Sequence, residues 1–391
     1  MLIVADENIP LVHEAFADLG EVRTLPGRDL RRADLDGAEL LLVRSVTRVD
    51  SALLAGSAVR FVASATIGRD HLDSDWLDAA GIGWATAPGC NARAVAEWVI
   101  AALLRICHAQ RRDWRELRCA VIGYGNVGRR VAELLGALAL DCLVCDPPLA
   151  ESGGVAPAGG FVDLDTALDC DLVSLHTPLS RAGRHPTAGM LGAAELARMR
   201  CGSLLFNSGR GAVIDGAALL AELRAGRLHA ALDVWPGEPR LDPALLRRVA
   251  LGTPHIAGYS YEGRVRGTQM IRAAAGAAFG ATTDWPGVAA LAAPADARLD
   301  LRAVGRDAGA DPTADSALRA AVEQACDVAR DDADLRAAID AAGADDAARG
   351  AAFDGLRRAY RQRREFPAYG VTGAPIAARG ALAALGFSLL D

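Results

Sequence analysis

Three residues of catalytic type follow three apolar runs in the middle of the chain: Arg210 in Asn207-Ser-Gly-Arg-Gly-Ala-Val-Ile-Asp215, Glu238 in Leu232-Asp-Val-Trp-Pro-Gly-Glu-Pro239, and His255 in Gly252-Thr-Pro-His-Ile-Ala-Gly258. A histidine poised near neutral pH can take the proton off a hydroxyl while hydride leaves the same carbon, and an adjacent carboxylate holds its tautomer and raises its basicity. An arginine can grip a carboxylate through two parallel hydrogen bonds. Taken alone, His255 also suits a core or surface position, and Arg210 a helix-start ion pair. What binds the three together is position: each stands just past a run that reads as a strand, and in a doubly wound sheet those positions face the ligand crevice.

A fourth signal says what that crevice holds. Cys119-Ala-Val-Ile-Gly123-Tyr-Gly125-Asn-Val-Gly128-Arg-Arg-Val-Ala132 is an apolar run feeding GxGxxG and then a helical pattern. Its glycines permit a tight turn, close approach of backbone to a pyrophosphate and close helix–strand packing, while the helix start offers free amides and a positive dipole end. A bare GxGxxG also fits a structural turn. Here both the strand and the helix contexts are present, and Asp146 closes the next apolar run 18 residues after Gly128, where a carboxylate accepts from ribose hydroxyls. An acid there repels a 2′-phosphate, so NAD is expected rather than NADP.

All 42 basic side chains are Arg; the sequence contains no Lys. That excludes Schiff-base and pyridoxal-phosphate chemistry and the P-loop, whose lysine reaches the β/γ-phosphates. A net charge of -7 argues against a general nucleic-acid or anionic-membrane surface. No apolar run approaches the ~20 residues that span a bilayer; the nearest, Ala94 to Leu104, contains Glu97. The start, Met1-Leu-Ile-Val-Ala-Asp-Glu-Asn8, has no basic n-region, so the expected location is the cytoplasm. Cys142-Leu-Val-Cys145 has redox spacing but lies inside an apolar run instead of at a helix start, which reads as buried, reduced thiols. No His or Cys cluster has ligand spacing, so no metal is expected.

The elements that must position these groups read as alternating short apolar runs and helix-period segments, the pattern of parallel α/β units. The first series is Leu2–Ala5, Leu40–Arg44, Arg60–Ala65 and Ile82–Ala87, with helices expected at Pro10–Leu19 and Leu72–Ala80 and Gly81 as C-cap. A long helix over Asn91 to Ala109 leads into a second series: Cys119–Gly123, Cys142–Asp146, Leu172–His176, Ser203–Asn207, Ala230–Val234 and Val249–Leu251. Past Trp285-Pro286 the chain turns Ala- and Asp-rich, as in Asp331-Asp-Ala-Asp-Leu-Arg-Ala-Ala-Ile-Asp340, yet Leu, Ile, Val and Phe recur at helical spacing. A small α+β domain is expected there in preference to a disordered tail. The fold class is therefore α/β, with two doubly wound parallel-sheet domains followed by a small C-terminal α+β domain.

Together the motifs resemble the D-isomer-specific 2-hydroxyacid dehydrogenase family: the dinucleotide fingerprint, the Arg-Gly after a strand, Asp-Val-Trp-x-x-Glu-Pro and Thr-Pro-His-Ile-Ala-Gly occur in family order over roughly residues 1–285. The resemblance implies a flavodoxin-like substrate domain (residues 1–93 and 258–285), a Rossmann NAD domain (94–257) and a dimerisation domain (286–391). It implies that Arg210 binds and polarises the 2-oxo acid, that His255 is the acid/base and that Glu238 pairs with it. A closer likeness rests on Val4-Ala-Asp-Glu-Asn8, Val43-Arg-Ser-Val-Thr47, Ala65-Thr-Ile-Gly-Arg-Asp-His-Leu-Asp73, Ala87-Pro-Gly-Cys-Asn-Ala92, His255-Ile-Ala-Gly-Tyr-Ser-Tyr-Glu-Gly263 with Gly267-Thr268, and Arg363-Arg-Glu-Phe366. It implies that Ser45, Thr66 and Tyr259 contact substrate, that Asp146, Thr177, Ser208, Gly209, Arg210, Asp233 and Gly258 line NAD, and that Asn126 and Val127 meet its pyrophosphate beside Gly123, Gly125 and Gly128. The implied reaction is oxidation at C2 of 4-phospho-D-erythronate in vitamin B6 biosynthesis, by a homodimer whose site lies in the cleft between the two α/β domains and closes about a hinge.

Such a substrate carries a carboxylate and a phosphate, and without Lys both must be held by Arg, hydroxyls and amides. Arg44, beside Ser45 at a strand end, is the candidate for one of them; it equally suits a surface ion pair. Two other readings compete: a dehydrogenase for another D-2-hydroxy acid such as phosphoglycerate or glycerate, which a substrate panel decides, and an NAD-sensing regulatory protein, which partner binding that responds to NADH without turnover would reveal.

Overall fold

Parallel strands covered by helices on both faces are buried on both sides, which is why their sequences run as continuous apolar stretches. In the computed structural model, which describes residues 1–282, 284–294, 297–302 and 313–390, these stretches form three all-parallel sheets. Strands β1 (Leu2–Asp6), β2 (Glu21–Leu25), β3 (Ala38–Val43), β4 (Phe61–Ser64) and β5 (Gly83–Ala85) pair in the order β2-β1-β3-β4-β5. Strands β6 (Cys119–Ile122), β7 (Cys142–Cys145), β8 (Leu172–Leu175), β9 (Ser203–Asn207), β10 (Leu228–Leu232) and β11 (Leu251–Gly252) pair in the order β11-β10-β9-β8-β6-β7. The third sheet joins β12 (Arg298–Asp300), β13 (Gly370–Thr372) and β14 (Ser388–Leu389). Both larger sheets place their second strand outside the first before the order reverses, so each is doubly wound, as expected.

The chain divides into two compact units, Met1–Asn91 with Ser260–Ala292 and Ala92–Tyr259 with Ala293–Asp391. In the first, Ile3, Ala5, Leu40, Leu42 and Ala63 pack against the helix Tyr261–Phe279 through Ile271 and Ala275. In the second, the helix Ala92–Gln110 is buried nearly all round because it meets the β6–β11 sheet side and is covered by the C-terminal helix Ala314–Ala325. The same double cover explains why that helix carries the longest apolar run in the sequence. No helix among the described residues is long and apolar enough to cross a membrane.

Several details differ from the sequence expectation: the helix expected over Pro10–Leu19 is shorter, Val12–Phe16, and the last strand of the second series is Leu251–Gly252. Strand β2 was not expected: Glu-Val-Arg-Thr-Leu is a half-exposed edge strand with polar residues between its apolar ones. Strand β10 begins two residues before the expected run, which leaves Asp233 past the strand end. The C-terminal segment is helical over Ala314–Ala325, Val328–Ala342, Asp346–Arg358 and Ile376–Ala384, but its sheet is opened by β12 at the start of the segment. Cys142 and Cys145 lie in β7 as expected; both are free, and burial pushes each thiol up to about 12.

Candidate active site

In the second unit the site residues all follow the carboxyl ends of strands, in sheet order: Asp146 after β7, Gly123 to Gly128 after β6, Thr177 after β8, Ser208 to Arg210 after β9, Asp233 and Glu238 after β10, and His255 after β11. The fingerprint glycines have separate reasons to be glycine. Gly123 has φ +90, and a Cβ there would lie 2.9 Å from the His176 carbonyl and the Thr177 amide. A Cβ on Gly128 would fall onto the Gly123 carbonyl, so the helix Asn126–Ala137 packs on its strand only because that atom is missing. A Cβ on Gly125 would meet nothing within 4 Å. Its lack of a side chain therefore answers no protein contact and suits a ligand brought against the backbone. No side chain caps this helix start, where Asn126 and Val127 begin the first turn.

Asp146 accepts the Tyr124 amide at 2.7 Å and the Leu149 amide at 3.0 Å, so its carboxylate holds the turn and stands where a ribose would reach it. The buried Thr177 hydroxyl lies at the same edge with no protein hydrogen-bond partner. Beside it, Ser208 Oγ lies 3.3 Å from His176 Nδ1, and Ser174 Oγ lies 2.8 Å from Nε2. Burial lowers His176 to about 3, so this ring stays neutral. Asn207 shapes the loop that ends in Arg210: its Oδ1 accepts the Gly209 amide at 3.0 Å, and its Nδ2 donates to the Arg210 carbonyl at 3.0 Å. These residues fit a dinucleotide: an uncapped helix start, an open glycine, a carboxylate at the next strand end and an unpartnered hydroxyl.

The acid/base pair is formed in the structure. His255 Nδ1 and Glu238 Oε1 lie 2.6 Å apart, and Glu238 Oε2 accepts the Trp235 amide at 3.0 Å. Although burial pushes the Glu238 carboxyl up, the hydrogen bond and charge of His255, the Trp235 amide and Arg357 together hold it below its ordinary value. An ionised Glu238 bonded to Nδ1–H leaves Nε2 as the nitrogen that exchanges a proton with a ligand.

His255 itself has φ +56, a left-handed conformation that costs about 1–3 kcal/mol outside glycine. Asp233 holds it there. The fully buried Asp233 carboxylate accepts from the Thr253 hydroxyl at 2.6 Å, the Ile256 amide at 2.8 Å and the Ala257 amide at 2.9 Å, while its own carbonyl accepts the His255 amide at 2.7 Å. Thr253 is braced in turn by Trp98 Nε1 at 3.1 Å. Expected to line the cofactor, Asp233 has its carboxylate committed to the loop from Thr253 to Ala257; Gly258 and Tyr259 follow on that loop.

In the first unit, Arg44 and Ser45 follow β3 and Thr66 follows its neighbour β4. Arg44 Nε donates to the buried Asp6 carboxylate at 3.0 Å, so the ion pair is real and fixes the guanidinium at the strand ends. Thr66 Oγ1 lies 2.8 Å from Ser64 Oγ, which contacts His71 Nε2 at 2.9 Å. Ser45 is exposed.

Comparison with known proteins accounts for both the motifs and the extra segment. Residues 96–257 match the model of the D-isomer specific 2-hydroxyacid dehydrogenase NAD-binding domain, and residues 301–386 match a domain of unknown function, DUF3410. The chain is 46% identical over 394 residues to erythronate-4-phosphate dehydrogenase of Stutzerimonas stutzeri, covering 100% of both chains. It is 47% identical over 379 residues to the enzyme of that name from Salinibacter ruber, covering 96% of this chain and 95% of the relative. The chain belongs to the erythronate-4-phosphate dehydrogenase branch of the D-isomer specific 2-hydroxyacid dehydrogenase family. Among solved structures, NAD-bound 3-phosphoglycerate dehydrogenase of Entamoeba histolytica shares the fold, with TM-score 0.61 and 23% identity over 72% of this chain and 95% of that one. D-lactate dehydrogenase of Aquifex aeolicus, complexed with NAD and lactic acid, shares it with TM-score 0.55 and 23% identity over 72% and 96%. A chain of this family is an NAD-dependent oxidoreductase.

Sequence reasoning missed the residues that position others: Asn207, Thr253 and Trp98. Asn207 was visible in the Asn-Ser-Gly-Arg motif, and Thr253 in Thr-Pro-His, but nothing in either motif distinguishes a loop clamp from a ligand. It also missed Arg357, which no local pattern marks.

Proposed function

We propose that the protein oxidises 4-phospho-D-erythronate at C2 to 3-hydroxy-2-oxo-4-phosphobutanoate, on the route to pyridoxal 5′-phosphate. The observation that carries the reading is the 2.6 Å His255–Glu238 pair on the same sheet edge as the dinucleotide fingerprint and Arg210. NAD supplies the hydride acceptor. His255 Nε2 takes the C2 hydroxyl proton as the C2–H bond breaks, and Glu238 stabilises the imidazolium through Nδ1–H. Arg210 clamps the substrate carboxylate and the oxygen that becomes the 2-oxo group. Ser45, Thr66 and Tyr259 contact the substrate, and Arg44 takes one of its two anionic groups. Gly123, Gly125, Asn126, Val127 and Gly128 receive the pyrophosphate, and Asp146, Thr177, Ser208, Gly209 and Gly258 line the rest of NAD.

Residues 1–93 and 258–285 then serve as the substrate domain, 94–257 as the NAD domain and 286–391 as the dimerisation domain of a homodimer. Exposed Ile376 and Leu390 in the last segment support that assembly. Eight free thiols support a reducing compartment, the cytoplasm.

The test is NADH formation across 4-phospho-D-erythronate, 3-phospho-D-glycerate, D-glycerate and D-lactate. The expected result is a kcat/KM preference for the first, with His255→Asn and Arg210→Ala each losing roughly 10²-fold or more. No preference sinks the substrate, and near wild-type variants sink the roles.

A further inference from the structure

The loop that carries His255 is anchored from two sides. Asp233 holds it from within the sheet; the second anchor comes from the C-terminal segment. Arg357, near the end of the helix Asp346–Arg358, donates from Nη2 to the Tyr259 hydroxyl at 3.2 Å, across 98 residues of sequence. Its guanidinium lies over the rings of both Tyr259 and Phe353, 5.9 Å from each centroid. Tyr259 also packs edge-on against Tyr360, with ring centroids 6.0 Å apart, and Tyr360 donates to Asp331 at 3.1 Å. Six residues after Arg357, Arg363 is buried and donates to the Ala257 carbonyl at 2.8 Å and the Ala94 carbonyl at 3.0 Å. So two arginines of one segment hold the loop at Ala257 and Tyr259, either side of Gly258 and just past His255.

Arg357 is more than a surface charge. Its side chain is 19% exposed, its Nε is buried without a hydrogen-bond partner, and its helix neighbour Asp354 stands 3.6 Å from Nη1. A pair that loose does not account for a guanidinium set over two rings. Arg357 and Glu238 each stabilise the ionised form of the other.

We propose that Arg357 is a positioning residue for the loop that carries His255, fixing the Tyr259 hydroxyl, so that the C-terminal segment serves catalysis in its own chain. The inference rests on the dehydrogenase reading of the site and assigns the segment matched only by a domain of unknown function a role beyond assembly. Charges that act on Glu238 include His255 and Arg357, and those that act on Arg357 include the Tyr259 phenol, Glu238 and Asp354.

The test compares Arg357→Met, Arg357→Lys, Tyr259→Phe and the Arg357→Met/Tyr259→Phe double variant, with Arg358→Gln, an exposed neighbour on the same helix, as control. Arg357→Met keeps the stem and removes the fork and charge. The expected result is a kcat loss of about tenfold or more, an acid limb of kcat/KM moved to higher pH because the His255–Glu238 pair loses a nearby cation, and NAD affinity within about twofold of wild type, since the fingerprint follows β6. Arg357→Lys restores the charge and recovers the acid limb while leaving part of the kcat loss, and once Arg357 is gone Tyr259→Phe adds little to the kcat loss, whatever it costs in KM through the substrate contact. An unchanged kcat and pH profile in Arg357→Met overturns the proposal. So does a loss of activity that only tracks loss of NAD affinity and melting temperature. Should Arg357→Met not fold, Arg357→Lys and Tyr259→Phe decide alone: wild-type kinetics in both overturns the proposal. The kinetics are read on whichever 2-hydroxy acid the wild type oxidises best, so failure of the 4-phosphoerythronate reading shows in the wild type and failure of this one in the variants.

Discussion

Replacing Glu238 by Gln keeps the shape of the catalytic pair and inverts its hydrogen-bond logic. In the wild type both carboxylate oxygens accept, Oε1 from His255 Nδ1 at 2.6 Å and Oε2 from the Trp235 amide at 3.0 Å. A glutamine has one acceptor and one donor for those two places. If its oxygen stays on the Trp235 amide, its NH2 faces Nδ1 and the imidazole must move its proton to Nε2, the tautomer that cannot take a proton from substrate. If its oxygen turns to Nδ1, the NH2 meets the Trp235 N–H, donor against donor. Either way one hydrogen bond to a charged group is lost, about 1.5–3 kcal/mol, and with about 1.4 kcal/mol per tenfold this predicts a kcat/KM loss of roughly 10- to 10²-fold. Against the burial that pushes it up, the hydrogen bond and charge of His255 hold the carboxyl below its ordinary value, so it is ionised near neutral pH and its replacement lowers the rate there without removing a titrating group. The assay is NADH formation under kcat/KM conditions across a pH series, with NAD affinity measured separately. A variant within about twofold of wild type refutes the pairing.

Two further outcomes test the cradle and the buried histidine. Gly128→Ala forces a Cβ onto the Gly123 carbonyl and should lower stability by about 1–3 kcal/mol, whereas Gly125→Ala, with nothing within 4 Å, should melt like wild type yet bind NAD more weakly; unchanged NAD affinity in Gly125→Ala removes the argument for ligand approach. His176 is held neutral by burial, about 3 against an ordinary 6.5. Between those values the unfolded chain takes up a proton that the folded chain refuses, so stability falls as pH drops through the window, by at most about 1.4 kcal/mol per pH unit. Urea unfolding of His176→Asn should show a flatter acid side than wild type, and an equal slope in both would contradict the burial argument. Glu97, pushed up to about 7 chiefly by burial, works in the opposite sense, losing stability as pH rises from 4.5, so the comparison must be between variant and wild type.

What could be read from the sequence divides by range. Buried parallel strands such as Leu-Leu-Leu-Val in β3, Cys-Ala-Val-Ile in β6 and Ser-Leu-Leu-Phe-Asn in β9 are apolar without interruption, so local composition reveals them. Edge and short strands carry no such mark: β2 alternates with polar residues, and β12 and β14 are three and two residues long. The groups of catalytic type were legible because each lies within a few residues of a strand end. The groups that hold them were not, because their partners are distant in sequence: Trp98 reaches Thr253 across 155 residues and Arg357 reaches Tyr259 across 98. No window on an Ala- and Arg-rich helix says that one of its arginines stacks on the loop of the acid/base histidine.

The absence of lysine takes on a structural meaning once the arginines are located. Several use the fork to hold two backbone carbonyls at once: Arg227 takes Leu196 at 2.9 Å and Met199 at 3.3 Å, Arg336 takes Leu246 at 2.6 Å and Val249 at 3.1 Å, and Arg272 takes Ala15 at 2.8 Å and Thr282 at 2.6 Å. A lysine places all its donors at one point and cannot span two carbonyls in that geometry. Arg363 ties the catalytic loop by one end of its fork, Nη2 joining the Ala257 carbonyl to the Ala94 carbonyl of the long helix, while Nη1 faces Glu97 at 3.5 Å, which balances its buried charge. The positive φ of His255 needs a loop fixed at several points, and Arg363 supplies one of them at the Ala257 carbonyl. Arginine therefore serves this chain twice, as the anion clamp proposed at Arg210 and as the tie that keeps the imidazole where that clamp can use it.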